Sequence, residues 1–154
     1  MTVRFDDPGP PAGAEDIDAV ERRLGTTFPV HYRSFLQTQN GGDPEPNFFD
    51  EDVGVRQFLS AGPIAIEGVR DLETVARLYS PDGEADYVPP SSMLAIGEDD
   101  LGNLICIAVG GEDAGAVFFW DHEAYEDEHS LRRLADDFGE FFHRLRPEAE
   151  MVSL

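Results

Sequence analysis

Lysine is absent from this chain: all 11 basic side chains are arginine, set against 32 aspartates and glutamates. The formal charge of -21 at pH 7 argues against nucleic acid and anionic membrane as partners, because so negative a surface repels both. Cysteine is nearly absent too. Cys106 stands alone, so no disulfide can form within the chain, and its place inside an apolar run marks a small core side chain, not a reactive thiol. Long apolar runs are also missing. The longest, Leu104 to Val109, falls far short of the roughly 20 residues a membrane-spanning helix needs. No basic segment followed by an apolar one opens the sequence, so a cytoplasmic location is expected.

Constellations that carry chemistry are equally scarce. Asp121, His122 and Glu123 with His129 match no metal-ligand spacing. The Gly-rich stretch Gly110 to Gly115 lacks the Gly-Lys-Ser/Thr ending of a phosphate loop and joins two apolar runs as a hairpin turn would. Ser60, Ser91 and Ser92 have no nucleophile-elbow context, and the carboxylates gather in loops without forming an acid/base pair. The expectation is a protein with no catalytic residues, no cofactor and no metal.

What is present is a core. At 154 residues and 41% hydrophobic content the chain fits one domain. Met93 to Asp121 holds three short runs rich in branched and aromatic side chains, punctuated by Gly, Asn and Asp, which predicts a three-strand antiparallel meander. Its middle run is apolar at every position, so both faces must be covered. Ile17, Val20 and Leu24 mark a first helix ended by Gly25; Tyr32, Phe35 and Leu36 mark a second, with Pro29 in its first turn and a stop at Asn40-Gly41-Gly42. A weakly patterned strand is expected from Val53 to Leu59 and a third helix from about Gly68 to Tyr79. Leu131, Leu134, Ala135, Phe138, Phe141, Phe142 and Leu145 form a continuous helical stripe, predicting a long final helix capped by Ser130 and stopped by Pro147. The fold class expected is α+β: a single domain whose mostly antiparallel sheet, centred on the meander, is flanked by about four helices. Residues 1–14 read as a flexible arm, 15–147 as the domain and 148–154 as a tail.

Two acidic groups stand out as candidate partner-binding residues. If the meander strands are neighbours in order, Glu98, Asp99 and Asp100 share one sheet end with Asp121 and Glu123. The loop after the second helix carries Asp43, Glu45, Asp50, Glu51 and Asp52. Such clusters suit a basic protein partner. A solubility or high-salt adaptation, or a GC-rich genome that favours arginine, accounts for the composition equally well. At the meander end, lysine in place of both Asp99 and Asp100 is expected to leave the fold intact.

The motifs, taken in order, resemble a known family. Leu24-Gly25, Phe28-Pro29, Tyr32, Phe35-Leu36 and Asn40-Gly41-Gly42 are similar in type and spacing to the signature of the SUKH superfamily, with Phe28 in place of the commoner leucine. Gly102 to Cys106 and Gly115 to Glu123 resemble its central hairpin, and Ala135, Phe138, Phe141 and Phe142 its closing helix. The likeness covers about residues 15 to 146. It implies a non-enzymatic α+β domain without shared catalytic residues. Many bacterial members are similar to immunity proteins that bind and neutralise toxins, often nucleases, in their own cytoplasm, whereas fungal members resemble regulators of cell-wall synthesis. Taken together with the charge, the resemblance leads to the expectation of an acidic immunity module that binds a basic toxin domain. A regulatory or scaffold role is the alternative, and a hydrolase comes third.

Overall fold

The computed structural model describes residues 3–6, 8, 10–62, 71–85, 87–124 and 130–147. Along them the chain runs β1 (Arg4–Asp6), α1 (Ala14–Leu24), α2 (Val30–Thr38), β2 (Asp43–Glu45), β3 (Gln57–Phe58), α3 (Leu72–Leu78), β4 (Met93–Glu98), β5 (Leu104–Ala108), β6 (Val117–Trp120), β7 (Leu131–Ala135) and α4 (Phe138–His143), with a 3-10 turn at His122–Ala124. The three expected meander strands are β4, β5 and β6, antiparallel and adjacent in order. β3 and β7 extend them to a five-stranded antiparallel sheet, β3-β4-β5-β6-β7, beside a two-stranded β1-β2 ribbon. The fold is thus mixed α+β. Every residue of β5 is buried, as its unbroken apolar sequence requires of a strand covered on both faces.

The helical hairpin follows its sequence signals. Gly25 takes φ of 70° to end α1, a conformation that favours glycine. Arg33 of α2 reaches back to α1, bonding Glu21 at 2.7 Å and Asp18 at 2.8 Å, while the other Glu21 oxygen accepts the Phe28 N–H at 2.6 Å. Pro29 sits one position earlier than expected, just before the first helical residue. The Asn40-Gly41-Gly42 stop does more than end a helix. Asn40 is 2% exposed. Its side chain donates to the Pro10 carbonyl at 2.8 Å and the Ala61 carbonyl at 3.0 Å, and accepts the Ala61 N–H at 2.7 Å. Gly41 and Gly42 have φ of 79° and 109°. A Cβ on Gly41 would lie 2.8 Å from the Phe58 carbonyl oxygen, so only glycine lets the two backbones meet.

The long final helix does not form. Leu131–Ala135 is instead strand β7, paired with β6, and α4 begins only at Phe138. A register shift between Val117 and Phe118 leaves Leu134 as an extra residue on β7. One inserted residue turns the two-residue spacing of a strand face into three, which imitates helical spacing. Ser130 is accordingly not the cap. Asp137 is, accepting the Glu140 N–H at 2.9 Å, while the Glu140 carboxylate accepts the Asp136 N–H at 3.3 Å.

Residues 4–6, expected in a loose arm, instead form β1 against β2, and Phe5 stacks on Phe142 with ring centroids 6.0 Å apart. The first residues of the third helix, expected at Gly68, and the tail at 148–154 lie outside the described residues; Asp71 caps α3, its side chain accepting the Thr74 N–H at 2.8 Å.

Aromatic rings from α2, β3 and α4 form the densest part of the core. Phe138 stands 4.7 Å from Phe35, 5.3 Å from Tyr32 and 5.8 Å from Phe58, centroid to centroid. The buried Tyr32 hydroxyl has no hydrogen-bond partner among the described residues, a desolvation that the surrounding packing must outweigh.

Two outcomes follow. Phe138→Ala should lower unfolding free energy by about 3 to 5 kcal/mol, measured by urea denaturation; a loss under about 1 kcal/mol would mean that α4 is not docked as described. Burial pushes the Cys106 thiol from 9.0 up to about 12. Between those values the unfolded chain releases a proton that the folded chain keeps, so stability should fall with rising pH by about 1.4 kcal/mol per unit. Cys106→Ala should remove that part of the alkaline slope, and an unchanged slope would show that the thiol does not contribute.

Candidate partner-binding site

The order of the meander strands brings distant acids to one sheet end. Glu98 pairs with Leu104, Leu104 with Trp120, and Gln57 with Glu98, so the ends of β3 and β6 flank the β4–β5 turn. Asp99 holds that turn together. One carboxylate oxygen accepts the Leu101 and Asn103 N–H groups, both at 2.8 Å, and the other accepts the Asn103 side-chain amide at 2.9 Å. Asn103 then bridges to the segment after β6. Its side-chain oxygen accepts the His122 N–H at 3.2 Å and lies 2.7 Å from His122 Nδ1. Gly102, with φ of 88°, lies so close to the His122 ring that a Cβ there would be 3.4 Å from its Cε1. A rigid frame of neutral donors and backbone amides therefore supports the acidic rim.

The rim residues divide by exposure. Asp100 and Glu123 are exposed, and Asp121 is half-buried with one carboxylate oxygen accepting the Glu123 N–H at 2.9 Å. Glu98 and Asp99 are buried, and the hydrogen bonds of Asp99 are spent on the turn. Asp99 and Asp100, expected to tolerate lysine alike, thus differ: Asp99 is part of the scaffold, whereas Asp100 faces outward, its nearest cation Arg56 3.8 Å away and also exposed.

The second acidic group lies along β2 and the following loop. Asp43 accepts from the Gln57 side chain at 3.3 Å, which ties it to β3 next to Glu98. Exposed Glu45 stands 3.6 Å from Arg4. Asp50 folds the loop inward, accepting the Asp52 and Val53 N–H groups and pairing with Arg132 of β7, while Arg144 lies 4.4 Å over the Phe49 ring. Glu51 and Asp52 are left on the outside of that loop.

Beside the meander end lies a groove of about 550 Å³ lined by Tyr79, Tyr87, Trp120, His122 and Glu123. Trp120 and Tyr79 meet edge to face at 5.8 Å. The same two rings also line a larger cleft of about 920 Å³ that runs past Pro89, Pro90 and Met93. Sequence reasoning missed the groove, whose walls come from segments far apart in the chain. Tyr87 in the Pro-rich loop and Leu101 in the acidic turn are large apolar side chains left 45% and 77% exposed. Among the described residues no group of three or more His, Cys, Asp or Glu is placed to hold a metal, and His129 lies outside them. None of the helices among them is long and apolar enough to cross a membrane.

The model of the SMI1 / KNR4 family (SUKH-1) matches residues 11–144, from just before α1 to the end of α4. No curated protein matches the chain.

The division of labour in the turn is testable. Asp99→Ala should cost about 1 to 3 kcal/mol by leaving buried amides unpaired, whereas Asp100→Lys should change stability by less than about 0.5 kcal/mol. Equal losses in thermal or urea unfolding would contradict the assignment of Asp99 to the scaffold.

Proposed function

This chain belongs to the SMI1/KNR4 family (SUKH-1), which includes immunity proteins and fungal regulators, and we propose that it acts as an immunity protein. In this reading it is a non-catalytic cytoplasmic module that binds a basic toxin domain and covers its working surface. The observation that carries the proposal is the preorganised rim. Asp100 and Glu123 project from a turn and a chain segment that Asp99, Asn103 and His122 bond into one frame. That frame ties together the two segments on which these acids sit, so little further ordering is needed when a cationic surface arrives.

Charge supports the same reading. A chain at -21 builds a long-range negative field that accelerates encounter with a cationic partner and raises the affinity for it at low ionic strength. Many arginines are already paired internally, among them Arg23 with Glu73 and Arg33 with Asp18 and Glu21. At the rim Glu123 is exposed and Asp100 has the exposed Arg56 3.8 Å away, a pair that solvent screens, so the field there is negative. Against a nuclease toxin, such carboxylates would occupy the positions that phosphates take in its substrate, with the same sign of charge and the same capacity to accept hydrogen bonds from arginine.

Co-purification from the native cell, followed by identification of the bound protein, tests the function. The expected companion is a basic toxin domain; a cell-wall synthesis component in its place would favour the regulatory role. With the partner in hand, the double variant Asp100→Lys, Glu123→Lys should slow association about tenfold or more at low salt and much less at high salt. Association rates equal to those of the unmutated protein at both salts would remove the meander end as the electrostatic contact face.

A further inference from the structure

The groove next to the rim combines a carboxylate with a feature that the other rim acids lack, aromatic walls. Tyr79, Tyr87 and Trp120 supply rings, His122 is held in place by Asn103, and Glu123 stands exposed at the same opening. Gly102, of the acidic turn, lines it as well. A volume of about 550 Å³ suits a single long side chain with its flanking backbone.

We propose that this groove receives an arginine side chain of the basic partner, its guanidinium stacked on Tyr87 and paired with Glu123. The inference rests on the reading above that the partner is basic, and it names the group that anchors it. Arginine fits for three reasons. Its planar cation is attracted to the faces of aromatic rings. It is weakly hydrated, so transfer into a partly apolar groove costs less than for the compact, strongly hydrated ammonium of lysine. Its fork of donors also lets one face stack while an edge bonds a carboxylate in two places. The larger cleft on the other side of Trp120 and Tyr79 does not select a cation in this way: Arg23 lines it, and no carboxylate does among the described residues.

The groove carries its own reporter, because Trp120 is the sole tryptophan of the chain and lines the wall. The full chain is titrated at low ionic strength with the blocked peptide Gly-Arg-Gly and with the same peptide carrying citrulline or lysine, following Trp120 emission and backbone amide shifts. A saturable response to the arginine peptide is expected, with affinity lowered about fivefold or more by Tyr87→Ala and by Glu123→Gln but unchanged by Glu112→Gln, exposed on the β5–β6 turn at the opposite end of the sheet. The citrulline peptide has the same shape without the charge and should bind at least about fivefold more weakly; the lysine peptide should also bind more weakly. No saturation by about 50 mM peptide, an equal response to citrulline or lysine, or unchanged affinity in both groove variants would overturn the proposal. Because the titration needs no toxin, its failure leaves the co-purification result standing. Conversely, a cell-wall component as the natural companion would sink the immunity reading while leaving the arginine preference of the groove measurable.

Discussion

The side chain of Asn40 is the contact on which the arrangement of the rest depends. Three stretches of chain distant in sequence converge on one buried amide: the segment before α1 through Pro10, the end of α2, and the segment after β3 through Ala61. Ser60 closes the set by donating to the Asn40 carbonyl at 2.8 Å. A buried amide satisfied on both its oxygen and its nitrogen is specific in a way that apolar contact is not, because any shift of one segment strands a polar group in the core. With that point fixed, Gly42 exchanges two backbone hydrogen bonds with Phe58, at 3.0 and 2.9 Å. The exchange sets β2 beside β3 and carries the ring of Phe58 into the aromatic cluster. The two glycines are therefore consequences of the asparagine: once it holds the chains so close, no side chain fits between them.

From the same anchor the logic of the acidic end follows. β3 is placed against β4, which puts Arg56 and Gln57 next to Glu98 and brings Asp43 toward the meander end. The fold tolerates this concentration of like charge by separating tasks. Asp99, which lies inside, is held by amides of its own turn, and Asp100 and Glu123 stand at the rim, where water screens their repulsion. Buried and exposed members of one acidic run are thus held in different ways.

Much of this was legible in the sequence, and the misses share a cause. The meander was readable because β5 is apolar throughout and its neighbours are bounded by Gly and Asp, so period and punctuation agree. The α1–α2 hairpin was readable because Gly25 and Pro29 act through local backbone geometry. The last helix was misread because a bulge at Leu134 gave strand residues a helical spacing, although Asp137 followed three residues later by Glu140 carried the true capping signal. That Asp99 and Asp100 take different places in the turn was not legible for a related reason. Composition assigns a charge to each residue but not the direction in which it points, and only the hydrogen bonds around Asn103 separate a scaffold acid from a surface acid. The groove at Tyr87 was invisible because its walls come from segments whose proximity is set by tertiary packing alone.

The hydrogen-bond exchange between Gly42 and Phe58 has one more effect. It joins the β1-β2 ribbon to the five-stranded sheet, so among the described strands the ladder has its open edges at β1 and β7. Both edges are poor templates for another chain. β1 is three residues long and exposes Arg4 and Asp6; β7 exposes Arg132 and Arg133, each held by a carboxylate, and its register is broken at Leu134. Short, charged and irregular edges resist strand-by-strand growth into fibrils. A protein whose centre is an unbroken β-forming run from Leu104 to Val109 thus keeps that run in the middle of the sheet, out of reach of its own copies even when it is abundant.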